Sequence, residues 1–71
     1  MDEYTLAELI YNHARKDFFN GKGRILLNEF KNEIGNPNLT AEQIIKTFQK
    51  HYPQFEIEQR TPNVIIINFG G

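Results

Sequence analysis

The order of patterns along residues 24–69 restricts this chain to a small number of folds. A short apolar segment and a helical pattern come first, and Gly35 ends them. A second helical pattern begins at Thr40 and stops before Pro53, and two segments of alternating character follow it. Together with a helical pattern at the amino end, this order predicts an α+β fold with three helices, a small antiparallel sheet and a C-terminal β-hairpin.

Two helix starts carry the pattern of a capping box, in which Thr or Ser caps the helix and Glu or Gln follows three residues later. Thr5 has Glu at that third position, and Thr40 has Gln. We therefore predict a first helix over residues 6–17 and a third helix over residues 41–51. Pro53 ends the third helix, because a residue that precedes proline avoids the helical conformation.

The segment between these helices is less regular. Gly21 and Gly23 are two glycines in three residues, which predicts a loop. Residues 24–27 suit either a short strand or the beginning of the second helix, and the sequence leaves both open. The helix itself is predicted over residues 28–34, with Gly35 as its C-terminal stop.

The last two segments predict a hairpin whose register follows from burial, because a slip of one residue moves every side chain to the other face. A loop of odd length, such as residues 61–63, pairs Phe55 with Phe69 and Ile57 with Ile67. A five-residue loop is the alternative, and it also has an odd number of residues. Six side chains then point outward: Glu56, Glu58, Arg60, Val64, Ile66 and Asn68.

The composition excludes several classes of chemistry. The 71 residues suffice for one small domain, residues 1–71, and they include no cysteine and no serine. Disulfides, thiolate metal sites and Ser or Cys nucleophiles are therefore excluded. His13 falls on the apolar stripe of the first helix, where we expect a core histidine rather than a metal ligand. We predict a protein that is not an enzyme and needs no metal, cofactor or small-molecule substrate.

The sequence shows no apolar run near the ~20 residues of a membrane span. No basic segment followed by an apolar core marks the start of the chain either. We therefore expect a cytoplasmic protein without a membrane partner. Its richness in Asn, Ile and Lys suggests a bacterial or phage origin.

The order helix, strand, helix, turn, helix, strand, tip, strand resembles the winged helix-turn-helix superfamily. The resemblance covers nearly the whole chain, and it rests on architecture rather than on a diagnostic motif. It implies that the helix over residues 40–52 lies in a groove of nucleic acid, and that the hairpin tip at residues 60–63 contacts the backbone.

The residues that would carry nucleic-acid binding are polar and cationic. Gln43, Lys46, Thr47 and Lys50 lie three, four or seven residues apart and are predicted to share one exposed helix face. Three further cations could hold phosphates: Lys22, Arg24 and Arg60. The plainer interpretation is an ordinary solvated face with a Glu42–Lys46 pair. A sequence pI near 6.1 also argues against strong non-specific DNA binding.

A protein partner is the alternative hypothesis. Glu56, Glu58, Val64 and Ile66 would form an outward strip on the hairpin, and apolar residues on an edge strand need a cover. A third strand at residues 24–26, a homodimer or another protein could provide that cover. The sequence thus predicts a small regulator that binds DNA, or else an interaction module or inhibitor, without identifying a target.

Overall fold

A computed structural model describes residues 1–70, in which three helices cover one face of a four-stranded antiparallel sheet. The elements in chain order are α1 (Glu3–Lys16), β1 (Phe18–Phe19), β2 (Lys22–Leu26), α2 (Leu27–Ile34), α3 (Ala41–His51), β3 (Glu56–Thr61) and β4 (Val64–Asn68). The strand order across the sheet is β1, β2, β4, β3. This architecture confirms the predicted α+β class with its C-terminal hairpin.

The core lies between the sheet and the helical layer. Alternate sheet residues are buried toward the helices, among them Ile25, Ile65 and Ile67. They meet large side chains from all three helices: Ile10, Phe30, Ile44 and Phe48. None of the helices within residues 1–70 has the length and apolarity that a membrane crossing requires.

The first helix begins earlier than the sequence predicted. Its N-cap is Asp2, whose carboxylate accepts a hydrogen bond from the backbone N–H of Thr5 at 2.7 Å. That hydrogen bond lowers the pKa of Asp2. Both residues are competent caps, and an aspartate also brings negative charge to the positive end of the helix dipole. The prediction of Thr5 as the cap was therefore wrong.

Two other predicted helix ends, the start of α3 and the end of α2, are confirmed. Thr40 and Gln43 form a complete capping box at the start of α3, with each side chain accepting from the other residue's backbone N–H. At the end of α2, Gly35 adopts the left-handed conformation, with φ of 68°. The next backbone N–H, that of Asn36, then reaches the carbonyl of Lys31, which gives a Schellman ending.

The segment predicted as a loop after α1 is a short hairpin instead. Asn20 and Gly21 form the turn between β1 and β2, with φ of 53° and 77°. A two-residue turn with positive φ at both positions matches the twist of paired strands, and Asn-Gly is the sequence that best tolerates it. Residues 24–26 belong to β2, and α2 begins directly at Leu27.

The second strand passes very close to the first helix. A Cβ atom added to Gly23 would lie 2.5 Å from the carbonyl oxygen of Ala14 and 2.8 Å from a ring carbon of Phe69. Only a residue without a side chain fits there. The close approach fixes α1 directly over β2.

The predicted register of the C-terminal hairpin is confirmed in its central pair, Ile57 with Ile67. The connection is shorter than expected, since only two residues separate Thr61 from Val64. A β-bulge between Gln59 and Thr61 adds one residue to β3. The bulge restores the odd parity that burial requires, so the isoleucines still face the core.

The hairpin tip folds back onto the second helix. The backbone carbonyl of Asn63 accepts from the N–H of Leu27 at 2.8 Å, and its side-chain oxygen accepts from the N–H of Asn28 at 2.8 Å. The cap residue of α2, Leu26, has no side-chain group that could do this. Asn63 therefore caps α2 from the far end of the chain.

Candidate binding surfaces

The exposed side of α3 was predicted to present four polar residues, and it presents three. The ammonium groups of Lys46 and Lys50 lie on side chains that are 75% and 66% exposed. Thr47 is only 9% exposed. It follows Ile44 by three residues and precedes Phe48, so it belongs to the buried stripe of the helix. Including Thr47 in the exposed face was therefore wrong.

The three exposed residues that were predicted for this face all have partners. Lys46 pairs with Glu42 at 3.0 Å, one turn back on the same helix. Lys50 pairs with Glu3 of α1 at 3.2 Å. The side-chain oxygen of Gln43 is held by the capping box. This face of α3 is therefore close to neutral rather than cationic.

The remaining predicted phosphate-binding residues lie elsewhere. Lys22 and Arg24 are on β2, where the alternate residues Gly23 and Ile25 face the helices. The two cations therefore point away from the helical layer that contains α3. Arg60 is at the bulge near the hairpin tip. The structure does not bring the predicted nucleic-acid residues together on one surface.

Two of the three predicted cations of the sheet have acidic partners. The guanidinium of Arg24 donates to the carboxylate of Asp17 at 2.7 Å. The guanidinium of Arg60 donates to Glu58 at 3.0 Å. No ion pair within residues 1–70 includes Lys22 or Glu56, which lie on opposite sides of β4.

We call the side of the sheet that faces away from the helices the open face. Its side chains come from alternate residues of the three longer strands. They are Lys22, Arg24 and Leu26 of β2, Val64, Ile66 and Asn68 of β4, and Glu56 and Glu58 of β3. The register arranges them in rows, with Ile66 paired to Arg24 on one side and Glu58 on the other.

Charge on the open face is sorted by strand. The cations Lys22 and Arg24 occupy β2, the anions Glu56 and Glu58 occupy β3, and the apolar residues Val64 and Ile66 lie on β4 between them. Arg60 of β3 lies at the bulge and is paired with Glu58. Leu26 extends the apolar centre beside Val64. All three apolar side chains are partly exposed, and no helix in residues 1–70 covers them.

The structure thus brings together the four residues predicted for a protein partner: Glu56, Glu58, Val64 and Ile66. The third strand, which the sequence left open, is present as β2, and it makes β4 a central strand. The description of β4 as an edge strand was therefore wrong. Sequence reasoning also missed that Lys22, Arg24 and Leu26 share this face, although their alternation with Gly23 and Ile25 was a signal for it.

The buried histidine has a structural role. His13 is 7% exposed, and its Nδ1 lies 2.8 Å from a carboxylate oxygen of Glu33 on α2. The ring also meets Phe30 edge-on. The ammonium of Lys16 donates to the second oxygen of Glu33 at 2.9 Å, and this hydrogen bond lowers the pKa of that carboxyl. The cluster joins α1 to α2.

Comparisons with known proteins leave the chain without a family: no family model matches it, and no curated protein and no solved structure is significantly similar to it.

Proposed function

We propose that this chain is a protein-interaction module that binds its partner through the open face of the sheet. The observation that carries the proposal is the apolar centre formed by Leu26, Val64 and Ile66 on a sheet face without a covering layer in residues 1–70. Along the strands of an antiparallel sheet, apolar residues on the core face ordinarily alternate with polar residues on the solvated face. Partly exposed aliphatic side chains in the middle of such a face are typical of a surface that another molecule covers.

The charges around this centre support a protein partner. Lys22 and Arg24 lie on one side, and Glu56 and Glu58 lie on the other. A polyanion would be attracted by the first pair and repelled by the second. A protein surface can present both signs of charge, so it can match both sides at once.

Nucleic-acid binding through α3 is the second candidate. The order of elements supports it, as do the exposed side chains of Lys46 and Lys50. Their acidic neighbours oppose it, although exposed ion pairs contribute at most about 1 kcal/mol and phosphates could compete for the lysines. The formal net charge of −1 also opposes it.

A photocrosslinking experiment separates the two candidates. A photoreactive amino acid replaces Ile66 on the open face, or Gln49 between the two lysines of α3 as the matched control. Cells that express either variant are irradiated, and the adducts are identified by mass spectrometry. We expect protein adducts from position 66 and few adducts from position 49. Nucleic-acid adducts from position 49, or no protein adduct from position 66, would overturn the proposal.

A further inference from the structure

We propose that the partner of the open face is a second copy of this chain, related by a two-fold axis that lies in the interface parallel to β4. This inference rests on the proposed function, because it uses the same surface. It follows from the way that the register sorts the charges by strand.

A rotation of 180° about such an axis reverses the lateral order of the strands. Each row of paired residues keeps its position along the strand direction. The β4 strand of one copy then lies over β4 of the other. The cationic β2 lies over the acidic β3, and the acidic β3 lies over the cationic β2. Stacked sheets with nearly aligned strands are a common packing, with about 10 Å between the two layers.

The rows match residue by residue in this arrangement. Lys22 and Glu56 both pair with Asn68 in the sheet, so they stand at the ends of one row. After the rotation, Lys22 faces Glu56 of the second copy. In the next row, Arg24 faces Glu58 of the second copy and Ile66 faces its own equivalent.

The other two-fold axis in the plane of the interface, at right angles to the strands, gives the opposite result. It places β2 over β2 and β3 over β3, so that Arg24 would face Arg24. Like charges at close range disfavour that packing. The charge pattern therefore selects one of the two arrangements.

Two of the four charged residues are available to form a new ion pair. Lys22 and Glu56 have no ion-pair partner within residues 1–70, whereas Arg24 and Glu58 have one each. The outer row should therefore contribute most of the electrostatic attraction between copies. Each of the two intermolecular Lys22–Glu56 pairs would form without breaking an existing pair.

The area of the face limits the size of the interface. Five residues of strand by the three overlapping strands cover about 17 by 14 Å, or roughly 240 Å² on each copy. A standard interface buries about 800 Å² on each partner, so we expect a weak, transient dimer. Such a dimer forms where the chain is locally concentrated.

Charge exchange provides the test. The variants are Lys22→Glu, Glu56→Lys and the double variant that carries both. Sedimentation equilibrium is measured from about 20 μM to about 1 mM at ~50 mM salt, with circular dichroism to confirm that each variant is folded. We expect the wild-type mass to rise from 8.3 kDa toward twice that value as concentration increases.

The single variants should remain monomeric, because each carries only one sign of charge in the outer row. An equal mixture of the two should associate, because the carboxylate introduced at position 22 of one variant faces the ammonium introduced at position 56 of the other. The double variant should associate by itself, as the wild type does. Rescue in the mixture and in the double variant is the result that a merely structural effect would not produce.

Three outcomes would overturn the inference: a wild-type chain that stays monomeric up to about 1 mM, single variants that dimerise like the wild type, or a mixture that fails to associate. Photocrosslinking at position 66 separates this failure from failure of the proposed function. Adducts with a different protein would overturn only the second copy as partner. The absence of any protein adduct would overturn both.

Discussion

Isoleucine occurs on both faces of the sheet, but in different environments. On β4, Ile65 and Ile67 are fully buried under the helices, whereas Ile66 between them is partly exposed on the open face. The three residues are neighbours on one strand, and only the alternation of the backbone separates their environments. The comparison teaches that an isoleucine belongs to the core only where another layer covers it.

The two faces also differ in what holds them. The helical face combines packed aliphatic side chains, a close backbone approach at Gly23 and the polar link between His13 and Glu33. The open face has solvent-exposed charges around a small apolar centre. Substitutions on the helical face should therefore change the free energy of unfolding, and substitutions on the open face should change association.

The largest difference in the free energy of unfolding is expected between alanine variants of two adjacent isoleucines. Ile65→Ala should lower the free energy of unfolding by about 2–5 kcal/mol, because it leaves a cavity in the core. Ile66→Ala is the matched control, and it should cost less than about 1 kcal/mol because its site already contacts water. Urea unfolding at about 10 μM, below the concentrations at which the dimer is expected to predominate, measures both. Equal losses would show that the open face is as tightly packed as the helical face.

A smaller loss of stability is expected from a substitution at the close approach of β2 to α1. Gly23→Ala should destabilise the fold by about 1–3 kcal/mol, because the new methyl group would overlap the carbonyl of Ala14. Lys22→Ala, one residue earlier on the open face, should change the free energy of unfolding by less than about 0.5 kcal/mol. The midpoint of thermal unfolding reports both changes. An unchanged midpoint for Gly23→Ala would mean that α1 can move away from the sheet at little cost.

The smallest effect is expected in acid, at the cluster that joins α1 to α2. The pKa of Glu33 is lowered in the folded state, chiefly by the hydrogen bond from Lys16, below its ordinary value of 4.5. A lowered pKa stabilises the fold above the ordinary value, and that contribution is lost as the pH falls through the folded-state pKa. Because the Glu33 side chain is 41% exposed, the contribution should stay below about 1 kcal/mol.

Urea unfolding of Glu33→Gln at pH 6 and at pH 3 tests this expectation. The variant should lose less stability on acidification than the wild type does. Glu29→Gln is the control, since Glu29 lies on the same helix and forms no ion pair within residues 1–70. If Glu29→Gln reduced the loss of stability in acid as much as Glu33→Gln did, this result would contradict the role of the cluster.

Local chemistry made much of the fold predictable from sequence. The capping box at Thr40 and the left-handed stop at Gly35 depend on residues within one turn of the chain. The pairing of Ile57 with Ile67 followed from parity, and the bulge preserved that parity. The start of α1 was missed because Asp2 and Thr5 are both good caps, and the Asn-Gly hairpin was missed although its signal was present.

The surface was harder to predict, because it depends on contacts between distant segments. Nothing near Lys50 in sequence indicates that Glu3 lies beside it. Nothing near Asn63 indicates that it caps a helix that begins far earlier in the chain, at Leu27. The strand order that places Lys22 and Glu56 on opposite sides of β4 also becomes visible only when the chain has folded.

The central position of β4 has a consequence for the lifetime of this protein in solution. The six residues 64–69 are rich in β-branched residues and include no charge, proline or glycine, which is the composition of segments that form amyloid. In the native state both backbone edges of β4 are occupied, by β2 and β3. Fibril growth would therefore need one of these neighbours to detach first, and the rate of that local opening would set the onset of aggregation.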